Sequence, residues 1–298
     1  MVDHEPTIKE AIDNEASSES FKDSNKQTTY NPLSERRFRL PIIVYHSIDD
    51  YGTSLSVSPT LFQKQVRFLA EHGWKTLHLR TVLKLLDKRQ SIPRKSVVLT
   101  FDDAFPTVLE QAQPIMNQYG MTGTTFVVTS QVGLKPEWFR LDRRYKERAL
   151  LDRDELDRLA DSGWEVLPHT HDHPVLTHLP LAKQITQIST SRERIQEWYG
   201  TDASILAYPF GQFNSETQQA MREVGMSVGL SLRFSVRIST ATMFDWPRIG
   251  SAWFKDSEFR QHLGLAGLLE LYVKLKQRIK GDRSRHFQNP SPETTRGL

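Results

Sequence analysis

The chain has 298 residues, 38% of them hydrophobic and 25% charged, with no cysteine and a formal net charge of +3; its mean hydropathy is −0.51. This suits a soluble protein of one large domain or two small ones, and it excludes disulfides and thiolate metal ligands. The small charge, without a long Lys/Arg block, gives no case for a nucleic-acid partner, and no stretch approaches the roughly 18 apolar residues of a membrane span.

Residues 1–38 are rich in Asp, Glu, Ser, Asn and Lys and read as a disordered or loosely attached tail. No basic-then-apolar signal segment opens them, so the chain as it stands is expected in the cytoplasm or at the cytoplasmic face of a membrane. Apolar text begins at Leu40–His46, a β-branched run that ends in a histidine. Ser58-Pro59-Thr60 opens a helix over Leu61–His72, with Phe62, Val66 and Leu69 at helical spacing and Gly73 as its stop. Lys75–Leu79 reads as a short strand and Arg80–Lys88 as a helix. Ser96–Phe101 is the clearest buried strand. A helix over Phe105–Tyr119 ends at Gly120, and Gly123–Thr129 is the next strand. Asp152–Ser162 reads as helix with Gly163 as its stop, and Trp164–Pro168 leads into a histidine cluster. Then come helix Leu181–Tyr199, strand Ser204–Tyr208, helix Ser215–Val224, and strand patterns at Met226–Ser231 and Phe244–Ile249.

Ser257–Lys280 reads as one helix, with Leu268, Tyr272, Leu275 and Ile279 in a stripe and lysines and an arginine crowding its last turns. Packing on the domain is the plainer reading; contact with a membrane surface or a partner is the alternative. Residues 281–298 read as disordered.

Short β-rich runs thus alternate with helices at least five times. That is the sequence form of a parallel α/β fold, and the number of units favours a barrel over an open sheet. No glycine-rich phosphate loop follows a strand, which argues against a nucleotide-binding sheet.

In such a barrel, reactive groups gather at the C-terminal ends of the strands. Four strand patterns end in reactive or turn-forming text: His46, Asp102-Asp103, His169-Thr170-His171-Asp172-His173-Pro174, and Tyr208-Pro209-Phe210-Gly211. Paired aspartates alone read most plainly as an exposed turn or a cap for the following helix. Beside a histidine cluster they acquire a second reading, in which one carboxylate binds a metal and the other takes a proton from metal-bound water. Pro168 and Pro174 oppose a regular helix through the histidines, so His169 and His173 can converge on one ion from an irregular loop. His171, between them, supports the site from behind or is merely exposed. Carboxylate and imidazole suit zinc first, with cobalt, nickel, manganese and iron as alternatives.

Thr100-Phe101-Asp102-Asp103, His169-Thr170-x-x-His173-Pro174 and Tyr208-Pro209-Phe210-Gly211 resemble, in order and rough spacing, the motifs of the polysaccharide deacetylase family, the NodB-homology carbohydrate esterases. Val44–Ile48 and Val57–Gln65 resemble the branch that acts on poly-β-1,6-N-acetylglucosamine, in which the strands are circularly permuted and a histidine usual near the end stands near the start, at His46. The resemblance implies a distorted (β/α) barrel over residues 39–256 that removes acetyl groups from an N-acetylated glycan. It implies Asp102 as general base, Asp103, His169 and His173 as metal ligands, His46 as the acid for the leaving amine, and the Phe210 N–H, in the Tyr208-Pro209-Phe210 turn, as an oxyanion donor.

The chain departs from the family pattern in two places. Ala104 follows the paired aspartates where glycine is usual, and Ala207 stands where an arginine usually orients the base. Arg248, in Asp245-Trp246-Pro247-Arg248, is the expected substitute, with a surface ion pair as its plainer reading. Trp246 lines the acetyl pocket or sits in the core. His262 resembles the late histidine of unpermuted members, but it lies within a helix pattern and His46 fills that role. Other readings of the same fold are a deacetylase of a small or lipid-linked amino sugar, or another amide hydrolase, and a non-catalytic carbohydrate-binding barrel. Oligomeric state is not written in the sequence.

Overall fold

The computed structural model describes residues 35–136, 138 and 142–251. The expected C-terminal helix, both outer tail segments and His262 lie outside the described residues.

Among the described residues seven parallel strands build the barrel, β1 (Ile42–Tyr45), β2 (Ser96–Asp102), β3 (Thr124–Val127), β4 (Glu165–Pro168), β5 (Ile205–Ala207), β6 (Val228–Leu230) and β7 (Ile249–Gly250), and the two-residue strand Lys75–Thr76 pairs in parallel beside β2. A continuous parallel sheet runs β7-β1-β2-β3-β4, with Ile43 opposite Leu99 and Asp102 opposite Phe126. β5 and β6 form a separate parallel pair. Leu230 of β6 also bridges in parallel to Trp246, just ahead of β7. The segment 246–250 therefore touches β6 on one side and β1 on the other, and it closes the sheet into a barrel. β4 and β5 lie side by side without a hydrogen-bond ladder between them, which leaves the barrel distorted.

Strand alternation sorts the side chains into two layers. Val97, Leu99 and Phe101 of β2, with Ile43 and Tyr45 of β1, pack outward on Phe62, Val66 and Leu69 of helix α1 (Pro59–Glu71). Val98, Ile42, Phe126, Leu167, Val228 and Leu230 point into the barrel. Both faces of the sheet are covered, so its strands are continuous apolar runs rather than alternating ones. By the same alternation Asp102, two residues past Thr100, is an inward position.

Helices fill the crossovers, and their ends follow local chemistry. Ser58 caps α1 by accepting from the Leu61 N–H at 3.2 Å, with Pro59 in its first turn. Helix α2 (Leu79–Asp87) turns Leu79, Val82, Leu83 and Leu86 onto the inward cluster. Its N-terminus is received by the buried carboxylate of Glu165, which accepts from the Leu79 and Arg80 N–H groups at 2.9 and 3.0 Å, the Arg80 guanidinium at 2.9 Å and the Thr124 hydroxyl at 2.8 Å. The expected helix over Phe105–Tyr119 forms over 106–117, with a π turn at Val108–Ala112 leading into α3 (Gln113–Asn117). Pro114 has no N–H to continue the ladder, and the Gln113 N–H reaches back to the Val108 carbonyl. α4 (Arg153–Asp161) carries a capping box between Asp152 and Glu155. α5 (Leu181–Tyr199) and α6 (Ser215–Val224) cover β5 and end on left-handed Gly200 and Gly225.

The tail expectation needs one change. Arg37–Arg39 is a strand, paired antiparallel with Arg237–Ser239, so ordered chain begins before residue 39. Among the described residues no helix is long and apolar enough to cross a membrane.

Glu165 opens β4, and His169 follows the end of the same strand. Replacing Glu165 with Ala removes a buried carboxylate that holds a helix N-terminus and an arginine, a loss of about 3 kcal/mol. Urea denaturation should show this as a lower midpoint at unchanged slope; a change under about 0.5 kcal/mol would contradict the anchoring role.

Candidate active site at the barrel mouth

The functional text gathers where the strands end. Asp102 is the last residue of β2, His46 follows β1, His169 follows β4, and Phe210 sits in the turn after β5. Parallel strands put all of these ends at one mouth.

Sharp turns are needed there. Asp103 and Ala104 have φ of 71° and 55°, Thr170 and His173 have 67° and 58°, and Phe210 has 59°. These are five of the seven left-handed non-glycine residues among those described. Each costs of order 1–3 kcal/mol and persists only where surrounding structure enforces it. Ala104 thus occupies a backbone conformation natural to glycine, which explains why glycine is usual there and shows that alanine can adopt it at a cost.

Asp102 and Asp103 are both buried, and their surroundings split their chemistry. The guanidinium of Arg248, itself 1% exposed, donates to Asp102 Oδ1 at 2.7 Å and to Oδ2 at 2.8 Å. Its Nε donates to the Ser231 carbonyl at 3.4 Å and its Nη1 to the Thr100 hydroxyl at 3.4 Å. Burial pushes the Asp102 carboxyl up, but the charge of Arg248 and its two hydrogen bonds outweigh it and hold the group well below the usual carboxylate range. At Asp103 burial and the neighbouring Asp102 charge outweigh the pull of Arg248 and push the carboxyl well above its ordinary value.

The Asp103 Oδ1 atom is buried without a hydrogen-bond partner. It lies 3.6 Å from His169 Nε2 and 3.4 Å from His173 Nε2. Three ligands about 2.0–2.1 Å from one tetrahedral ion stand about 3.3 Å apart, so the spacing fits a shared divalent cation. Among the described residues these three form a group able to hold a metal, all buried, with ligand atoms within 4.8 Å of one another. His169 is pre-set for the task. Its Nδ1–H donates to the Ala207 carbonyl at 2.8 Å, which leaves the Nε2 lone pair facing Asp103. Burial lowers the pKa of both histidines, so both rest as the neutral imidazoles a metal requires.

His46 is partly buried and within electrostatic reach of Asp102, Arg248 and His169. Burial pulls its pKa down to about 4, opposed by the Asp102 charge. It therefore rests neutral and must gain a proton before it can give one up.

Other expected site residues lie elsewhere. His171 turns away from the group: its Nδ1 pairs with the Thr129 hydroxyl at 2.9 Å. Tyr208 is fully buried between β5 and the helices, stacked on Phe213, with its hydroxyl donating to the Phe244 carbonyl at 3.0 Å. A Cβ at Gly229 would lie 2.0 Å from that hydroxyl. Tyr208 therefore faces outward and packs, and it is not a substrate-contacting side chain. Trp246 is likewise fully buried, in the inward apolar cluster, with its indole N–H donating to the Ser239 carbonyl at 3.2 Å. It is a core tryptophan and not a pocket wall. Pro209 is buried and starts the turn that leaves Phe210 49% exposed, with its ring against His173 at 4.9 Å.

Sequence reasoning missed Trp138. Its indole stacks on His173 at 4.5 Å with 30° between the planes. A lone tryptophan in the polar text Lys135-Pro136-Glu137-Trp138, close upstream of a histidine cluster, was the available signal.

Replacing Arg248 with Ala leaves the Asp102 charge buried without its cation, a cost of about 3–5 kcal/mol in unfolding free energy. Arg248→Lys should recover only part of this, because one ammonium cannot reproduce the two-pronged contact. Denaturant titration of both variants checks the order; equal stability of the two would argue against the bidentate pair.

Residues 89–229 match the family model described as polysaccharide deacetylase. A "putative polysaccharide deacetylase YxkH" of Bacillus subtilis (strain 168) is 27% identical over 197 residues, covering 66% of this chain and 66% of that protein, just under two thirds of its length. A poly-beta-1,6-N-acetyl-D-glucosamine N-deacetylase of Staphylococcus aureus (strain MRSA252) is 25% identical over 229 residues, covering 74% of this chain and 76% of that one. Among solved structures, IcaB from Ammonifex degensii superposes with a TM-score of 0.64 at 22% identity, over 75% of this chain and 95% of that one, a likeness of fold.

Proposed function

We propose, from the premise that the chain carries a polysaccharide deacetylase domain of the NodB type, that it hydrolyses the N-acetyl amide of an N-acetylhexosamine-containing polysaccharide, with Asp103, His169 and His173 holding a divalent metal. One observation carries this reading: a buried Asp/His/His group with an unpartnered carboxylate oxygen stands beside a second carboxylate that Arg248 keeps ionised.

A bound divalent ion, zinc first by its donor set, would polarise the amide carbonyl and lower the pKa of a water. Asp102 takes the proton of the attacking water. Its Oδ2 faces the same group, 3.9 Å from His169 Nε2, and its Arg248 contacts fix the carboxylate and keep it charged until that proton arrives. The Phe210 N–H, in a turn held by the left-handed Phe210 and Gly211, donates to the oxyanion as the carbonyl becomes tetrahedral. His46, neutral at rest, takes up the proton that Asp102 has accepted and delivers it to the leaving nitrogen. The C–N bond breaks, acetate leaves with the water oxygen, and the sugar keeps a free amine.

Similarity to a protein named for poly-β-1,6-N-acetylglucosamine supports a glycan of that kind as substrate. Purified protein given β-1,6-linked N-acetylglucosamine oligomers should release free amines. A strong chelator should abolish the release and added zinc restore it. Asp102→Asn should lower kcat by about 10²–10⁴, the usual contribution of a positioned general base. Full activity in Asp102→Asn overturns the assigned base. Turnover confined to monomeric or lipid-linked amino sugars would replace the polymer with a small substrate.

A further inference from the structure

The two histidines of the proposed metal group are held by different physics. His169 is oriented by a hydrogen bond, from its Nδ1 to the Ala207 carbonyl. A metal-binding imidazole usually has such a partner on its far nitrogen, which fixes both tautomer and ring angle. His173 has none among the described residues: its Nδ1 is buried without a hydrogen-bond partner. Its main chain is anchored, since its N–H donates to the Thr170 hydroxyl at 3.1 Å. That bond fixes the Cα and leaves the side-chain torsions free.

Three rings supply what the missing partner would. Trp138 stacks on the imidazole at 4.5 Å and 30°, Phe210 meets it edge-on at 4.9 Å and 60°, and His169 does the same at 4.9 Å and 60°. Trp138 is itself backed by an apolar cluster of Phe105, Tyr145 and Leu150. Tyr145 is fastened in turn, its hydroxyl within 2.7 Å of the Ser56 hydroxyl and 2.8 Å of the Thr53 hydroxyl, in the loop that follows His46. The stack is therefore supported from behind by two loops of the barrel mouth, while Phe210 is half exposed and backed less firmly.

We infer that Trp138 is a positioning residue for the metal: by lying against His173 it holds the imidazole in the angle at which Nε2 faces Asp103, in place of the hydrogen bond that His169 has. This rests on the proposed metal group. It concerns metal affinity rather than a reaction step, and Trp138 acts through His173 without touching the reacting atoms.

The test is zinc affinity of the full chain, measured by competition against a chromophoric chelator, with the thermal midpoint of the metal-free protein recorded beside it. Trp138→Ala should weaken zinc binding about 10–100-fold, the usual effect of removing a group that orients a ligand. Trp138→Phe, which keeps a flat ring against the imidazole, should restore most of the affinity. Phe210→Ala should lose less than Trp138→Ala. The metal-free midpoint should fall no further in Trp138→Ala than in Trp138→Phe. Wild-type zinc affinity in Trp138→Ala overturns the inference and leaves the metal reading intact. Equal losses in the Ala and Phe variants, tracking a lowered metal-free midpoint, also overturn it and make Trp138 ordinary packing. Failure of the wild-type protein to hold zinc against the chelator overturns both this inference and the metal-dependent mechanism.

Discussion

Two adjacent carboxylates taken out of water at the end of one strand set the terms for the rest of the site. Burial penalises both charges, and two charges side by side penalise each other. The protein neutralises only one of them. Arg248 is a permanent cation, fully buried, with two N–H groups on the two oxygens of Asp102. The histidines nearby are held neutral by burial, so they bring no compensating charge. Asp103 is left with a buried oxygen that nothing satisfies and two imidazole lone pairs within 3.6 Å of it. Among the described residues Asp103, His169 and His173 form a buried group whose ligand atoms could hold a metal ion. Which carboxylate the arginine reaches thus sets the two apart electrostatically.

The barrel makes that division geometrically available. Alternation along β2 turns Val98 and Asp102 inward while Val97, Leu99 and Phe101 pack against the outer helices. A straight continuation would send Asp103 outward, away from its neighbour's surroundings. The chain instead turns at once through two left-handed residues, Asp103 and Ala104. That turn brings the second carboxylate round to the same mouth and onto the histidines. The same device recurs at Thr170, His173 and Phe210. Backbone strain is concentrated in three loops at one end of the molecule, where it converts strand ends into converging side chains. The opposite end carries ordinary stabilising chemistry, such as Glu165 receiving the N-terminus of α2.

Elements were legible in the sequence where the signal is local. α5 and α6 occupy the residues their patterns predict, because uninterrupted helical text is bounded by Gly200 and Gly225. The inward and outward layers of β2 appear as an unbroken apolar run, which identifies a doubly covered strand but not which residue faces which layer. That ambiguity explains Tyr208 and Trp246. Both are aromatic residues beside motif text, and only the closed barrel shows that one faces the helices and the other fills the interior. The strand at Arg37–Arg39 was hidden because its partner, Arg237–Ser239, lies some two hundred residues away and both are short and polar. The π turn before α3 had a visible cause in Pro114, but a helix that widens and one that simply ends share that signal. Trp138 carried only a weak signal, a lone tryptophan in polar text, because its ring contact with His173 runs across a loop that carries no periodicity.

Arg248 shows why a barrel tolerates the departure at Ala207. In a closed sheet, groups that converge on the interior are neighbours in space without being neighbours in sequence. Arg248 enters beside β7, and β1 separates β7 from β2, yet its guanidinium spans that distance to Asp102. Asp102 needs a buried, two-pronged cation, and more than one strand can supply it. What position 207 must keep is different. His169 depends on the carbonyl of residue 207, a main-chain atom that survives any change of side chain. The bond to His169 is therefore independent of the side chain at 207, and the two-pronged contact to Asp102 comes from another strand. The two requirements are separable because one is met by backbone and the other by side chain.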